Sequence, residues 1–151
     1  MNKPALQPSL KGRALRLLSQ REHSRTELER KLAAHETEPG QLARALDELQ
    51  ARGFISEERV IESVIHRRAG KLGATRVRQE LLAKGLDGNA VALAMEGLRT
   101  TEAERAREVW ARKFGEPATD PKEKARQIRF LLSRGFAAEV VRRIVQGTGG
   151  D

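Results

Sequence analysis

Three histidines, His23, His35 and His66, are the side chains best suited to metal or acid–base chemistry, and their spacing suits neither. A helical zinc site needs two histidines four residues apart, and no His-x-x-x-His pair occurs. Each is expected to be an ordinary surface or cap-adjacent residue. Cysteine is absent, which excludes a thiol nucleophile, a disulfide framework and any Cys-ligated zinc or iron–sulfur site. Gly70-Lys71-Leu72-Gly73 has neither the spacing of a phosphate-cradling loop nor a strand before it. The pair Glu57-Glu58 sits at a helix start, where the helix dipole accounts for it. No nucleophile stands beside a base. The expectation is a protein that is not an enzyme and holds no metal or cofactor.

What remains is positive charge. The chain has 151 residues with 29 Lys and Arg against 21 Asp and Glu, a net charge of +8, and a sequence pI near 10.6. Such a balance favours a polyanionic partner, either nucleic acid or an assembly that contains it. From His66 to Gln79 there are five bases, Arg67, Arg68, Lys71, Arg76 and Arg78, and no acid. Arg76 is expected to pair with Glu80, leaving Arg67, Arg68 and Lys71 without an acid to neutralise them. Lys122, Arg126 and Arg129 fall on one helical face at i, i+4 and i+7. Arg142 and Arg143 in the last helix complete the candidate binding set. The functional reading is contact with phosphates or an acidic surface, made without reading base sequence. The plainer alternative is a solvated helix face. Aromatic residues are only 3% of the chain, with no Tyr, so a sheet that stacks several bases on exposed rings is excluded.

The elements that must position these bases are helices throughout. Leu28 and Leu32, Leu42, Leu46 and Leu49, Val60, Ile61, Val64 and Ile65, Val77 and Leu81, and Val140, Val141, Ile144 and Val145 each line one face at a period near 3.6. No stretch alternates at period 2. Capping boxes are expected at Ser24/Glu27, Thr101/Glu104 and Asp120/Glu123, with Pro121 at a first helical position and Pro39 in the same part. Ser56 and Asp87 should cap the helices behind them. Gly53, Gly85 and Gly135 each follow a base, as left-handed C-caps do. Together these predict about nine helices, near 13–21, 24–35, 39–52, 56–70, 73–84, 87–98, 101–114, 120–134 and 137–146.

The chain also repeats itself. Arg52-Gly53-Phe54, Lys84-Gly85-Leu86 and Arg134-Gly135-Phe136 share a base–glycine–apolar pattern. A shift of fifty lays Gly85 on Gly135 and Val91 on Val141, and one of forty-nine lays Leu28 on Val77. The fold class expected is all-α: an elongated array of three tandem three-helix repeats, 12–55, 56–100 and 101–147, between flexible tails at 1–11 and 148–151. Each repeat carries an excess of bases. No segment approaches 18 consecutive apolar residues, and Met1–Leu10 lacks the apolar run of a signal peptide. A soluble, cytoplasmic protein without membrane contact is therefore expected.

One set of residues points further. Ala14-Leu15, Leu18-Ser19, Arg21-Glu22-His23-Ser24-Arg25, Glu27-Leu28 and Lys31-Leu32, followed by Leu49 and Arg52-Gly53-Phe54-Ile55, resembles the signature of the RecX recombination regulators. Gly73, Arg76, Glu80-Leu81, Lys84-Gly85 and Phe130-Leu131 with Arg134-Gly135-Phe136 continue it, so that the likeness covers about 14 to 146. The resemblance implies a bacterial cytoplasmic protein that binds the RecA filament and modulates it, mainly by inhibition, in homologous recombination, DNA repair and the SOS response. It also implies contact with single- and double-stranded DNA, a monomer, and no catalytic residues. A direct helix-turn-helix DNA reader is the alternative from the residues alone, weakened by charge spread over all three units. A pure scaffold, its charge serving solubility, is a third.

Overall fold

A computed structural model describes residues 7–147 as nine α-helices and one short 3-10 turn, with no strand among the described residues. The helices are α1 (Leu10–Gln20), α2 (Arg25–Leu32), α3 (Gln41–Ala51), α4 (Glu57–Arg68), α5 (Ala74–Ala83), α6 (Gly88–Arg99), α7 (Glu102–Lys113), α8 (Pro121–Ser133) and α9 (Ala138–Val145); the 3-10 turn, Ala33–His35, follows α2. The all-α expectation holds, and each predicted helix is found within a few residues of its place. Residues 10 and 11, expected within a flexible N-terminal tail at 1–11, are helical. Ser9 Oγ accepts the Gly12 N–H at 2.9 Å and starts α1 at Leu10. The rest of the expected tails, 1–6 and 148–151, falls outside the described residues.

The described chain divides into two compact units. One takes the described residues up to Val60 together with Lys84–Leu86; the other takes Ile61–Ala83 and the described residues from Asp87 onward. In the first, α1, α2 and α3 enclose a core of Leu10, Ala14, Leu28, Leu32, Leu42, Leu46, Leu49 and Ile55. Leu28, Leu46 and Leu49 are fully buried, so the leucine stripes do face one another. In the second, α7, α8 and α9 enclose Ala106, Val109, Leu131, Phe136, Val141, Ile144 and Val145, and α5 packs on α6.

The Arg21-Glu22-His23-Ser24 segment is the hub of the first unit. Ser24 Oγ accepts the Glu27 N–H at 3.1 Å while Glu27 accepts the Ser24 N–H at 3.1 Å, completing the expected capping box. The Ser24 hydroxyl also donates to the Lys84 carbonyl at 2.6 Å, which ties the Lys84–Leu86 turn to the unit. Burial alone would raise the Glu27 carboxyl, but Arg21, the Ser24 N–H and Lys84 outweigh it and hold its pKa down to about 2. His23 is cap-adjacent as expected but not at the surface: it is 1% exposed. Its Nδ1 lies 3.0 Å from the Arg21 carbonyl and its Nε2 3.1 Å from Lys31 Nζ, so the neutral ring donates at one nitrogen and accepts at the other.

Two capping expectations fail. Thr101 does not cap α7; its hydroxyl donates back to the Leu98 carbonyl at 3.2 Å. Pro39 is not a first helical residue, because Gly40, in the left-handed region at φ +84°, intervenes before α3. Asp120 and Asp87 cap as expected, and Ser56 Oγ accepts the Arg59 N–H at 3.3 Å.

In the second unit a buried carboxylate does the work of two missing caps. The residue before α5 is Gly73 and the residue before α9 is Ala137, and neither has a polar side chain. Glu102, 5% exposed, accepts the Ala74 N–H at 2.6 Å and the Ala137 N–H at 3.4 Å. Gly73 is needed for a different reason. Its N–H donates to the Arg134 carbonyl at 2.8 Å, and a Cβ there would run into the Gly135 backbone.

Candidate functional site

The loop between α4 and α5 contains two glycines and is held from α7. Arg105 donates to the Ala69 and Leu72 carbonyls, both at 2.9 Å, and to the Leu98 carbonyl at 2.9 Å. These carbonyls lie at and just beyond the C-terminal ends of α4 and α6, where a cation is favoured. Burial lowers the Arg105 pKa, and the nearby Glu102 charge opposes the shift. Two turns further on, Arg112 donates to the Gly70 carbonyl at 2.7 Å. Two rungs of α7 therefore fix where Lys71 stands.

Lys71 opens into a hollow of about 400 Å³ lined by Lys71, Val109, Arg112, Lys113, Phe130 and Arg134. The lining holds four cations and no acid. Phe130 carries charge close to its ring: Lys113 Nζ lies 5.3 Å from the centroid and the Arg134 guanidinium carbon 5.0 Å. Phe114 meets Phe130 edge-on at 5.4 Å, and the Arg126 guanidinium lies 5.8 Å from the Phe114 centroid. Cations set over half-buried rings beside an apolar floor can hold phosphate oxygens and still leave a surface for a base to rest on.

The expected basic residues are not gathered into one patch. Of the segment 66–79, only Lys71 enters the hollow. Arg67 and Arg68 were expected to lack an acid, yet both turn to Glu80, at 3.8 and 3.0 Å. Arg76, expected to pair with Glu80, instead donates to the Ser133 carbonyl at 2.7 Å and packs against Gly135. The physical reason is reach: α4 and α5 run on either side of the loop, which lets Arg67 and Arg68 reach a carboxylate twelve or so residues on. On α8, Arg126 pairs with Glu123 at 3.3 Å. Arg143 pairs with Glu139 at 2.9 Å. The side chains of Lys71, Arg78, Lys122, Arg129 and Arg142 make no hydrogen bond or ion pair with another described residue.

Sequence reasoning missed Arg112, Lys113 and Arg134, and with them Phe114 and Phe130. The signal was present in Arg112-Lys113-Phe114 and in the i, i+4, i+8 run Arg126, Phe130, Arg134, where charge alternates with aromatic surface. No group of three metal-ligating side chains occurs among the described residues, and no described helix is long and apolar enough to cross a membrane. Every buried side-chain nitrogen or oxygen among the described residues has a partner.

Comparison with known proteins agrees with this architecture. Residues 11–49 match the family model of the first three-helix domain of RecX, and residues 100–145 match that of the third. The regulatory protein RecX of Leptothrix cholodnii is 56% identical over 96% of this chain and 91% of its own length. That of Ralstonia nicotianae is 46% identical over 92% of this chain and 87% of its own. Among solved structures, RecX from Lactobacillus salivarius superposes with a TM-score of 0.74 at 21% identity, covering 91% of this chain and 92% of that one. A second RecX crystal structure gives 0.75 at 20% identity, covering 91% and 71%. At that identity the structures speak for the fold, and the sequence relatives speak for descent: the chain belongs to the RecX family of regulatory proteins.

Proposed function

We propose that this protein regulates homologous recombination by binding the RecA nucleoprotein filament and restraining its ATP hydrolysis, extension and strand exchange. The observation that carries the reading is the acid-free hollow around Phe130, in a chain of net charge +8. A filament presents phosphates along a protein groove, so a ligand for it needs cations that are not already spent on internal pairs. Lys71, Lys113 and Arg134 meet that need, with Lys122, Arg129 and Arg142 as further cations for the flanking phosphates. Arg112 acts mainly by holding the Gly70 loop that presents Lys71. Arg67 and Arg68, drawn to Glu80, contribute less. In this reading the protein is a non-catalytic, cytoplasmic regulator. It works by occupying a surface that filament growth and turnover require, and it needs no cofactor.

The test compares affinity for single-stranded DNA, duplex DNA and RecA-coated single-stranded DNA at matched salt. The filament is expected to bind most tightly. Equal or tighter binding to bare duplex would favour the helix-turn-helix reading, and an absence of binding to all three would leave a scaffold. Replacing Lys71, Lys113 and Arg134 with Ala should weaken filament binding and flatten its salt dependence. Each lost single-strand phosphate contact lowers the slope of log affinity against log salt by about 0.7.

A further inference from the structure

The first unit carries a second hollow, larger than the one at Phe130 and different in chemistry. It measures about 520 Å³ and lies between α1 and the end of α2 with its 3-10 turn. Arg13 and Arg16 stand three residues apart on α1, and Lys31 and His35 four apart across the trough. Leu17 and Leu32 form the floor, with Pro8 at one end. No acid lines it. The Arg16 side chain makes no hydrogen bond or ion pair with another described residue, and the Arg13 side chain meets only the Gln7 side-chain oxygen, at 3.2 Å.

We infer that this trough is a docking site for an acidic, leucine-bearing peptide segment of a protein partner. Two arginines on one rim and Lys31 on the other, its ammonium also 3.1 Å from His23 Nε2, flank an aliphatic strip, which matches a segment with carboxylates on its edges and aliphatic side chains beneath, as in helix-in-groove recognition. Nucleic acid is the other polyanion to weigh, and the lining speaks against it. Single-strand sites combine cations with broad aromatic faces on which bases stack, and no Phe, Tyr or Trp lines this hollow, whose one ring is the small imidazole of His35. The two hollows thus differ in their floors: Phe130 in one unit, Leu17 and Leu32 in the other. The inference goes beyond the filament reading and does not depend on it.

The test uses the full chain and fluorescence anisotropy with three labelled probes. One is a short Glu-rich peptide with leucines at helical spacing, the second the same peptide with Ser for Leu, and the third an oligothymidylate. The leucine peptide is expected to bind, the serine peptide to bind much more weakly, and added salt to weaken both. The double variant R13E/R16E should lose about tenfold in affinity for the leucine peptide, the combined effect of reversing two rim charges. K113E/R134E should leave that affinity within about twofold. Arg13 and Arg16 hold no buried partner, and circular dichroism melting of the variant checks the fold. The inference is overturned if the leucine peptide fails to bind at millimolar concentration, if the serine peptide binds as well, or if R13E/R16E binds like wild type. It is also overturned if oligothymidylate displaces the leucine peptide and R13E/R16E abolishes oligothymidylate binding, since the trough would then be a nucleic-acid site. None of these outcomes bears on filament binding through the Phe130 hollow, which is read separately with RecA-coated DNA.

Discussion

Removing Glu102 should loosen two helices at once, although neither lies near it in sequence. Its carboxylate accepts the Ala74 N–H at 2.6 Å and the Ala137 N–H at 3.4 Å, at the heads of α5 and α9. The first bond is short and buried; the second is long and counts for less. A hydrogen bond to a charged group contributes about 1.5–3 kcal/mol, and stranding a buried N–H costs about 1–3 kcal/mol. Ala74 is 6% exposed, so water cannot take the place of the carboxylate without rearrangement. Glu102→Ala should therefore destabilise by about 3 kcal/mol, with the empty volume adding to the lost bonds. Glu102→Gln keeps one acceptor oxygen in nearly the same place and should cost about 1–1.5 kcal/mol. For a chain of this length 1 kcal/mol corresponds to roughly 3 °C, which puts the Ala variant about 10 °C and the Gln variant about 4 °C below wild type. Thermal melting followed by circular dichroism at neutral pH measures both. An Ala variant melting within about 2 °C of wild type would show that the two N–H groups do not depend on this carboxylate.

Other consequences are equally direct. Burial lowers the His23 pKa below 6.5, so the unfolded chain takes up the proton first; stability is fully present above about pH 6.5 and declines as pH falls through the window beneath it, a slope that urea titrations should show and that His23→Asn should flatten. Glu27, with its pKa held down to about 2, contributes stability above its ordinary value of 4.5 that is lost as pH falls from there towards 2; Glu27→Gln should flatten that acid limb in the same titrations. Gly73→Ala should cost several times more than Gly53→Ala in denaturant midpoint. A Cβ at position 73 meets the Gly135 backbone, whereas at position 53 it meets open space and bears only the strain of φ +83°, about 1 kcal/mol.

The helices were legible because their signals are local. Leucine stripes, the Ser24/Glu27 box and the three base–glycine turns each lie within a few residues, and each stands where the spacing placed it. The failures share a cause. The sequence pairs Arg76 with Glu80 because they are four apart, but Arg76 finds a carbonyl at Ser133 and Glu80 finds Arg67 and Arg68. Thr101/Glu104 matches a capping box, yet the acidic residue that matters is Glu102, which serves helices 28 and 35 residues away. The hollow at Phe130 likewise joins Lys71 to Lys113 and Arg134. Nothing in local spacing announces contacts made across a unit. Charge content shows only an excess of bases; the packing of α7 against the Gly70 loop shows which of them are engaged within the unit.

A regulator that acts on the assembled filament can be told from one that merely competes for DNA. The measurement is ATP hydrolysis by preformed RecA filaments on single-stranded DNA as this protein is titrated in, with and without excess bare DNA added afterwards. Inhibition is expected to set in below one regulator per recombinase subunit, to persist against the added DNA, and to weaken when Lys71, Lys113 and Arg134 are changed to Ala. Inhibition that vanishes with excess DNA, or that leaves the triple variant as potent as wild type, would contradict action on the filament through the Phe130 hollow.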